Sequence, residues 1–389
     1  MMMFRFWHVF ILMFLAVSLQ ARGLRVAFVG DPQVDNETEL GYARKSIYQD
    51  LKGRADIDLV VVLGDLVNDN PDLLSSSRQI LDSLRCPWLA VPGNHDFDVS
   101  RDKGRIRDLV TWKQVIGYAD TTFVVKNVRF ALVNNVAYKE RGGYEGEFND
   151  MQMDWLDSLS KVTPSEMHFV LATHIPVSRT PQKTLLMEMF AGHKNVLLIS
   201  GHTHTVARHW LEDNGKVEEV IAGAACGSWW RGQKDKDGVP YALQNCGAPR
   251  GYFVSDFGKK TYSHQYNAIS EEDECSVYLD DKDGKSVLYV NVYGGHRDGK
   301  VEAKLPKYGW FNAFKSSETA CEVKDVISFN NTLSRAERKK RKDEIIPLRR
   351  MKSPHLWALE LPEGLFPDKV KIRYLDPYMS FSKKVQVKK

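Results

Sequence analysis

Five largely apolar runs in the first half of the chain each end in a polar residue that can bind a metal or carry a proton. Such runs are typical of strands buried on both faces of a sheet. Loops at strand ends are where an α/β protein holds convergent polar groups. The runs are residues 24–30, 57–64, 88–91, 168–173 and 195–201, and the polar residues after them are Asp31, Gln33, Asp65, Asn94, His95, His174, His202 and His204.

Between these runs, apolar residues recur at helical spacing. The spacing predicts helices over residues 39–51 and 71–84, the second with Asn70 as its N-cap. A further helix is predicted over residues 150–159, after a glycine-rich loop at 141–146. The alternation of strands and helices predicts an α/β domain with a largely parallel, helix-covered sheet.

From about residue 268 the pattern changes to short alternating runs separated by turn residues. These runs, at 276–279, 286–292, 300–303, 355–360 and 369–374, predict a small, mostly antiparallel β domain. We therefore predict a catalytic domain over residues 23–267 and a β-rich domain over residues 268–389.

The first 22 residues have the character of a signal peptide. Arg5 precedes an apolar run at 6–19, and small residues follow at 18–21. The run is shorter than the roughly 20 residues of a membrane-spanning helix. We expect the chain to be exported to the periplasm or secreted, with no membrane span after the signal is removed.

Five cysteines in an exported chain allow at most two disulfides. Cys226 with Cys246 and Cys275 with Cys321 are candidate pairs, and buried free thiols are an equally good interpretation. A net charge of +4 over 389 residues does not indicate a nucleic-acid or bilayer-binding protein. The basic run at 335–342 contains Glu337 and is interpreted as a solvated helix face.

The strand-end residues, apart from His95, form a mixed set of nitrogen and oxygen ligands. Three imidazoles, two carboxylates and two amides are too many for one ion, and they suit two divalent transition metals better than calcium or magnesium. A carboxylate can bridge two cations about 3.5 to 4 Å apart, and Asp65 is the candidate bridge. If the segment around Thr203 is extended, His202 and His204 point to opposite faces and can serve different metals.

In their order along the chain, these residues resemble the motifs of the calcineurin-like metallophosphoesterases. Five blocks in order form a specific signal, although each block alone is weak. The blocks are Asp31-Pro32-Gln33, Gly64-Asp65, Gly93-Asn94-His95-Asp96, Thr173-His174 and Gly201-His202-Thr203-His204.

The resemblance implies an α/β fold in which two sheets form a sandwich flanked by helices, with a dinuclear metal centre at the strand ends. It also implies which residues bind each ion. Asp31, Asp65 and His204 would hold the first metal, and Asp65, Asn94, His174 and His202 the second. His95 would be a catalytic imidazole that binds no metal, and a metal-bridging hydroxide would attack phosphorus.

Gln33 departs from the family pattern, which usually has histidine at this position. Its amide oxygen can still bind a cation, but it is neutral and harder than imidazole. Of the divalent ions Mn, Fe, Zn and Mg, the change favours manganese or magnesium.

Further motifs resemble those of bacterial exported calcineurin-like phosphoesterases that carry a β-rich C-terminal domain. The shared segments are Gly142-Gly143-Tyr144, Ser228-Trp229-Trp230, Asp237-Gly238-Val239-Pro240, residues 247–252 and Pro354-His355-Leu356-Trp357.

The expected function is metal-dependent hydrolysis of a small-molecule, lipid-linked or glycan-linked phosphate ester, either a monoester or a diester. Trp229 and Trp230 could line the substrate cleft or equally well pin their loop to the core. Arg231 and Arg250 are phosphate clamps by residue type, although exposed loop arginines are commoner. The alternative is an exported glycan-binding or surface-binding protein with a vestigial metal site, which only Gln33 favours. Binding of nucleic acid is not expected.

Overall fold

The computed structural model describes residues 22–99, 107–139, 142–211, 217–269, 273–282 and 284–389. The predicted signal peptide therefore lies outside the described residues except for Arg22. Within the described ranges, no helix has the length and apolar character needed to cross a membrane.

Strands in the first part of the chain form two sheets and two short hairpins. The strands are β1 (Leu24–Val29), β2 (Leu59–Val62), β3 (Trp88–Ala90), β4 (Asp98–Val99), β5 (Arg107–Asp108), β6 (Thr121–Val125), β7 (Val128–Leu132), β8 (Val136–Tyr138), β9 (Tyr144–Gly146), β10 (His168–Ala172), β11 (Asn195–Ser200), β12 (Val206–Trp210), β13 (Val217–Ala222), β14 (Gly251–Phe257) and β15 (Tyr262–Ala268). One sheet has the order β15-β14-β1-β2-β3 and the other β12-β13-β11-β10-β7-β6. The strands β1, β2 and β3 are parallel to one another, and so are β7, β10, β11 and β13.

Helices cover the outer faces of both sheets. They are α1 (Glu37–Ala43), α2 (Gln49–Gly53), α3 (Leu74–Asp82), α4 (Val110–Val115), α5 (Asp150–Val162) and α6 (Lys183–Phe190). A π-helical turn, Arg44–Tyr48, joins α1 to α2, which confirms the helical prediction for residues 39–51. The predicted cap at Asn70 is wrong, because a 3₁₀ turn, Pro71–Leu73, precedes α3 and the Asn70 side chain donates to the Asp35 carbonyl instead.

The two sheets pack face to face around a shared core. Phe28 and Val61 of the first sheet and Phe130 and Val170 of the second belong to one fully buried cluster. Burial of each such side chain contributes about 1.5–3 kcal/mol. The predicted two-sheet sandwich flanked by helices is thus confirmed, and the layers hold the strand ends in fixed positions.

The C-terminal region is a seven-stranded closed barrel. Its strands are β16 (Cys275–Lys282), β17 (Lys285–Val292), β18 (Lys300–Leu305), β19 (Gly309–Lys315), β20 (Leu356–Glu360), β21 (Lys369–Leu375) and β22 (Ser380–Lys388), in the order β16-β17-β20-β19-β18-β21-β22. All neighbours are antiparallel except β16 and β22, which close the barrel in parallel. This confirms the predicted mostly antiparallel β domain. An insertion between β19 and β20 carries helices α7 (Cys321–Thr332) and α8 (Arg335–Lys340).

Neither candidate disulfide is present, because all five cysteines are free thiols. Cys275 packs inside the barrel, whereas Cys321 belongs to a separate cluster with Tyr289. Cys246 faces the backbone of β12, and Cys226 faces the strand-end loops. The alternative of buried free thiols therefore applies to both candidate pairs.

Candidate metal centre

The seven predicted ligands come from two sets of neighbouring parallel strands. Residues after β1, β2 and β3 supply Asp31, Gln33, Asp65 and Asn94, and residues after β10 and β11 supply His174, His202 and His204. Parallel neighbours present their carboxyl ends at the same edge of a sheet. Because the two sheets are stacked, both sets meet at one edge of the sandwich.

Several of these residues have backbone conformations that L-residues seldom adopt. The φ angles are 43° for Asp31, 43° for Gln33, 49° for Asp65, 71° for His202 and 50° for His204. Residues in this region cost about 1–3 kcal/mol each and persist where the surrounding structure imposes them. The segment around Thr203 is therefore not extended, and the predicted alternation of its two histidines is wrong. The two imidazoles point in different directions because the chain turns at His202 and at His204.

Two motif glycines allow the backbone to approach the carboxylates. A Cβ atom at Gly93 would lie 2.2 Å from Asp65 Oδ1, and one at Gly201 would lie 2.4 Å from Asp31 Oδ2. Either contact is too short for any side chain. The motif glycines thus make room for ligand oxygens beside the main chain.

One group of ligand atoms converges on His174. Its Nδ1 lies 2.8 Å from the Leu63 carbonyl and donates to it, which leaves Nε2 as the ring atom that can bind a proton or a cation. Nε2 lies 3.0 Å from Asn94 Oδ1, 3.2 Å from His202 Nδ1 and 3.4 Å from Asp65 Oδ2. Lone pairs this close repel one another unless a proton or a cation lies between them. These four residues fit a divalent cation.

The second group surrounds Asp31. Both oxygens of this carboxylate accept from the His202 N–H, at 3.0 and 2.9 Å. The Nδ1 of His204 donates to the Gly227 carbonyl at 2.7 Å, which leaves Nε2 available 4.0 Å from Asp31 Oδ1. The Nε2 of Gln33 donates to Asn68 at 3.3 Å, which leaves its oxygen as a ligand. These three residues therefore offer ligand atoms for another cation.

Asp65 lies between the two groups. One ligand atom each from Asp31, Asp65 and His174 can be chosen so that all three lie within 4.8 Å of one another. Both carboxylates are buried, and so is the imidazole. This arrangement fits Asp65 as a ligand shared by two cations.

The electrostatics of the centre also fit a cation. Burial raises the pKa of Asp31 well above its usual range, because the negative charge is desolvated. Burial acts against ionisation of Asp65 and of His174 as well, but their mutual attraction outweighs it, lowering the pKa of Asp65 to about 2 and raising that of His174 to about 9. The proton on His174 thus occupies the place where a metal ion would supply positive charge.

His95 lies beside the ligand atoms with its side chain partly exposed. Its backbone N–H donates to Asp65 Oδ1 at 2.8 Å. Its Nδ1 lies 3.1 Å from Asp69 Oδ2, and Arg107 donates to the other Asp69 oxygen at 2.9 Å. Burial lowers the pKa of His95, but Asp69 and Asp65 outweigh this and raise it above its usual value. Neither Asp69 nor Arg107 was predicted from the sequence, although Asp69 lies only four residues after Asp65.

Above these residues is a cleft of about 250 Å³. Its lining comprises Gln33, Asp65, Asn94, His95, Tyr144, His202, Thr203, His204, Trp229, Asn245, Pro347 and Arg349. Tyr144 belongs to a motif noted in the sequence. Pro347 and Arg349 come from the C-terminal region, and no signal in the sequence placed them near the metal motifs.

The two loop tryptophans have different roles. Trp229 lines the cleft with 41% of its surface exposed, and its ring lies 5.1 Å from that of His204. Trp230 is buried, and its Nε1 donates to the Pro32 carbonyl at 2.8 Å. Trp229 therefore lines the cleft, whereas Trp230 pins the loop to the core.

The structure does not bring Arg231 or Arg250 to the cleft, and the suggested role of phosphate clamp needs correction. Arg250 is buried, and its guanidinium donates to the Pro240 carbonyl and lies 3.4 Å from an Asp235 carboxylate oxygen. These contacts hold in place the long loop of residues 223–250, which joins β13 to β14. Arg231 pairs through its backbone carbonyl with the N–H of Ala242 and is not a lining residue of the cleft.

Comparison with known proteins gives two family matches. A family model described as calcineurin-like phosphoesterase matches residues 24–206, and one described as the C terminal of calcineurin-like phosphoesterase matches residues 219–380. A 3',5'-cyclic-nucleotide phosphodiesterase of Nostoc sp. (strain PCC 7120) is 27% identical over 126 residues, which are 32% of this chain and 44% of that protein. The chain thus matches less than half the length of this relative.

Solved structures with some similarity include two hydrolases. The phosphopantetheinyl hydrolase of Mycobacterium tuberculosis has a TM-score of 0.36 at 13% identity, covering 57% of this chain and 96% of that one. The 5'-nucleotidase of Candida albicans has a TM-score of 0.35 at 12% identity, covering 63% and 51% respectively.

Proposed function

Because the chain belongs to the calcineurin-like phosphoesterase family, whose members hydrolyse phosphate esters, we propose that it performs this reaction with two divalent cations. One observation carries the proposal: possible ligand atoms of Asn94, His202 and Asp65 all lie within 3.4 Å of His174 Nε2. Burying these groups side by side is unfavourable unless a cation or a proton lies between them.

In this proposal, Asp65 would contribute ligand atoms to both cations. Asp31, Gln33 and His204 would hold one cation with it, and Asn94, His174 and His202 would hold the other. When bound, two cations lower the pKa of a water molecule between them and offset the charge of phosphate oxygens. The neutral Gln33 favours manganese or magnesium.

His95 is proposed to hold a proton for the oxygen of the leaving group. Its imidazole lines the cleft but makes none of the contacts that define the two ligand groups. Asp69 lies against Nδ1 and would orient the ring so that Nε2 faces substrate. Arg107 fixes Asp69 in turn. These residues position a proton donor without binding metal.

Trp229 and Tyr144 are proposed to contact the organic part of the substrate. Both rings line the cleft. The Trp229 ring lies beside the His204 ring, and the centre of the Tyr144 ring lies 5.8 Å from that of His202. Aromatic faces of this kind bind apolar or sugar-like groups and exclude water.

We further propose that the chain acts after export to the periplasm or outside the cell, on a small-molecule, lipid-linked or glycan-linked ester. Residues 23–267 would form the catalytic domain and residues 268–389 the β-rich domain. The alternative of a binding protein with a vestigial centre is not favoured by the close contacts around His174 and Asp31, which retain ligand atoms beside one another.

A panel of esters tests the proposed function. The metal-loaded protein is assayed on p-nitrophenyl phosphate and bis(p-nitrophenyl) phosphate, and bound metals are quantified in the same samples. We expect turnover of at least one ester, lost in Asp65→Asn and retained in Asp72→Asn, which changes an exposed aspartate. Full metal occupancy with no turnover of either ester would favour a binding function.

A further inference from the structure

One wall of the cleft comes from a part of the chain far from the metal motifs. The segment 345–353 follows the insertion helices and leads into β20. Pro347 and Arg349 of this segment line the same cleft as His95 and Trp229. The C-terminal region therefore contributes directly to the substrate site.

Contacts on both sides fix this wall. Ile346 is buried in a cluster with Leu243 of the long loop, and its carbonyl accepts from the Asn330 side chain of α7 at 2.9 Å. The backbone N–H of Arg349 donates to Asn245 Oδ1 at 3.1 Å. Asn245 itself lines the cleft. The backbone of Arg349 is thus held at the edge of the site before substrate arrives.

Arg349 also has the charge that a phosphate group requires. Among the described residues that line the cleft, it is the only arginine or lysine. Its side chain is exposed, and within the described parts of the chain no carboxylate pairs with it. A guanidinium can bind two oxygens of one phosphate with parallel hydrogen bonds. Arg349 is therefore available for an anionic ligand.

We propose that Arg349 binds the additional negative charge of a phosphate monoester and makes monoesters the preferred substrates. This inference rests on the proposed function. A monoester carries up to one more negative charge than a diester above its second pKa of about 6. In a diester, the corresponding oxygen carries an organic substituent and no negative charge, so it no longer attracts the guanidinium.

The shape of the site agrees with this preference. At about 250 Å³ the cleft is smaller than the roughly 300–1,000 Å³ of sites for drug-sized ligands. Tyr144, Trp229 and Pro347 line it together with Arg349. A second organic substituent on phosphorus would have to fit among these side chains, whereas a monoester places only an oxygen there.

The inference is tested with Arg349→Ala and Arg349→Lys, and with Arg350→Ala as the matched control. Arg350 is the exposed neighbour and is not a lining residue of the cleft. All proteins are loaded with metal and assayed on p-nitrophenyl phosphate and bis(p-nitrophenyl) phosphate. Inhibition by inorganic phosphate is measured in parallel.

We expect Arg349→Ala to lower kcat/KM for the monoester about tenfold or more, mainly through KM, and that for the diester less than about threefold. Phosphate should inhibit this variant correspondingly less. Arg349→Lys should recover part of the loss, because it keeps the charge but not the planar fork. Arg350→Ala should match the wild type.

Equal losses on both esters, no loss on the monoester, or a wild-type preference for the diester would overturn the inference while leaving the proposed function intact. Failure of the wild type on both esters would contradict the proposed function instead. In that case, calorimetric binding of inorganic phosphate still decides the role of Arg349, since weaker binding by Arg349→Ala than by Arg350→Ala supports it and equal binding refutes it.

Discussion

A fully buried arginine joins the sandwich to the barrel, and replacing it should destabilise the protein. Arg208 of β12 has no exposed surface. Its guanidinium lies 2.8 Å from Glu218 of β13 and 2.9 Å from Asp376, which follows β21 in the barrel. It also donates to the Gly294 carbonyl at 3.2 Å. The variant Arg208→Met keeps much of the side-chain length and removes the charge.

The expected cost follows from what remains behind. Without Arg208, two buried carboxylates lie near each other with less compensation. Burial opposes ionisation of Glu218, but Arg208 together with His264 and His296 outweighs burial and lowers the pKa of Glu218 to about 2. Removing one partner of a buried ion pair costs about 3–5 kcal/mol. We expect the same loss here, and a partial recovery when Glu218→Gln is added.

Urea denaturation followed by tryptophan fluorescence measures the effect. Arg78→Met is the control, because the ion pair of Arg78 with Asp82 is about half exposed at both ends and is worth at most about 1 kcal/mol. A free energy of unfolding for Arg208→Met within about 1 kcal/mol of the wild type would refute the reasoning.

Three further predictions concern catalysis, pH and the long loop. His95→Ala should lower kcat on an alkyl phosphate by about 10²–10⁴ with unchanged metal content, and full turnover would contradict its role. The pKa of Glu218 in the folded protein, about 2, is below its ordinary value of 4.5. The ionised Glu218 therefore stabilises the fold fully above pH 4.5, and this stabilisation is lost as the pH falls towards 2. Urea titrations between pH 5 and 2 measure how the free energy of unfolding falls with pH. Glu218→Gln should remove about 3 kcal/mol of this decrease, and an unchanged decrease would contradict the prediction. A Cβ atom at Gly227 would lie 1.6 Å from the Ala242 carbonyl oxygen at a φ of 60°, so Gly227→Ala should lower thermal stability by about 2 kcal/mol or more. Gly142→Ala, which has a positive φ but open space, should lose less.

The sequence predicted the strand ends well, because the runs that form β1, β2, β10 and β11 are apolar on both faces. Such runs pair as neighbouring parallel strands, which brings the residues after them to one edge. This explains why residues as distant as Asp31 and His204 could be grouped from their positions along the chain. The directions of the Asp31, Gln33, Asp65, His202 and His204 side chains could not be predicted, because they depend on backbone turns with positive φ.

The wall formed by residues 345–353 could not be predicted. Its position depends on the packing of Ile346 against Leu243 and on one backbone hydrogen bond from Arg349, and neither contact leaves a pattern along the chain. The buried role of Arg250 was missed for a similar reason. An arginine in a polar loop has the same sequence signature whether it faces solvent or a carbonyl group.

The barrel was predicted only as short antiparallel strands. The strand β22 was missed because lysines interrupt it. Lys384 and Lys388 are exposed and Lys383 pairs with Asp273 and Glu274, while Val385 and Val387 fill the interior. Closure depends on the parallel pairing of β16 with β22, between residues about 110 positions apart. Pairing over that distance is not encoded in local periodicity.

Metal stoichiometry tests the central claim most directly. The wild-type protein is stripped with a chelator, titrated with Mn²⁺ in a calorimeter, and compared with Asp65→Asn, which removes the carboxylate proposed to bind both cations. The account predicts two Mn²⁺ ions bound per wild-type chain and weakened binding of both in the variant. A wild-type chain that binds no divalent ion after careful reconstitution, or a variant that binds two as tightly, would contradict it.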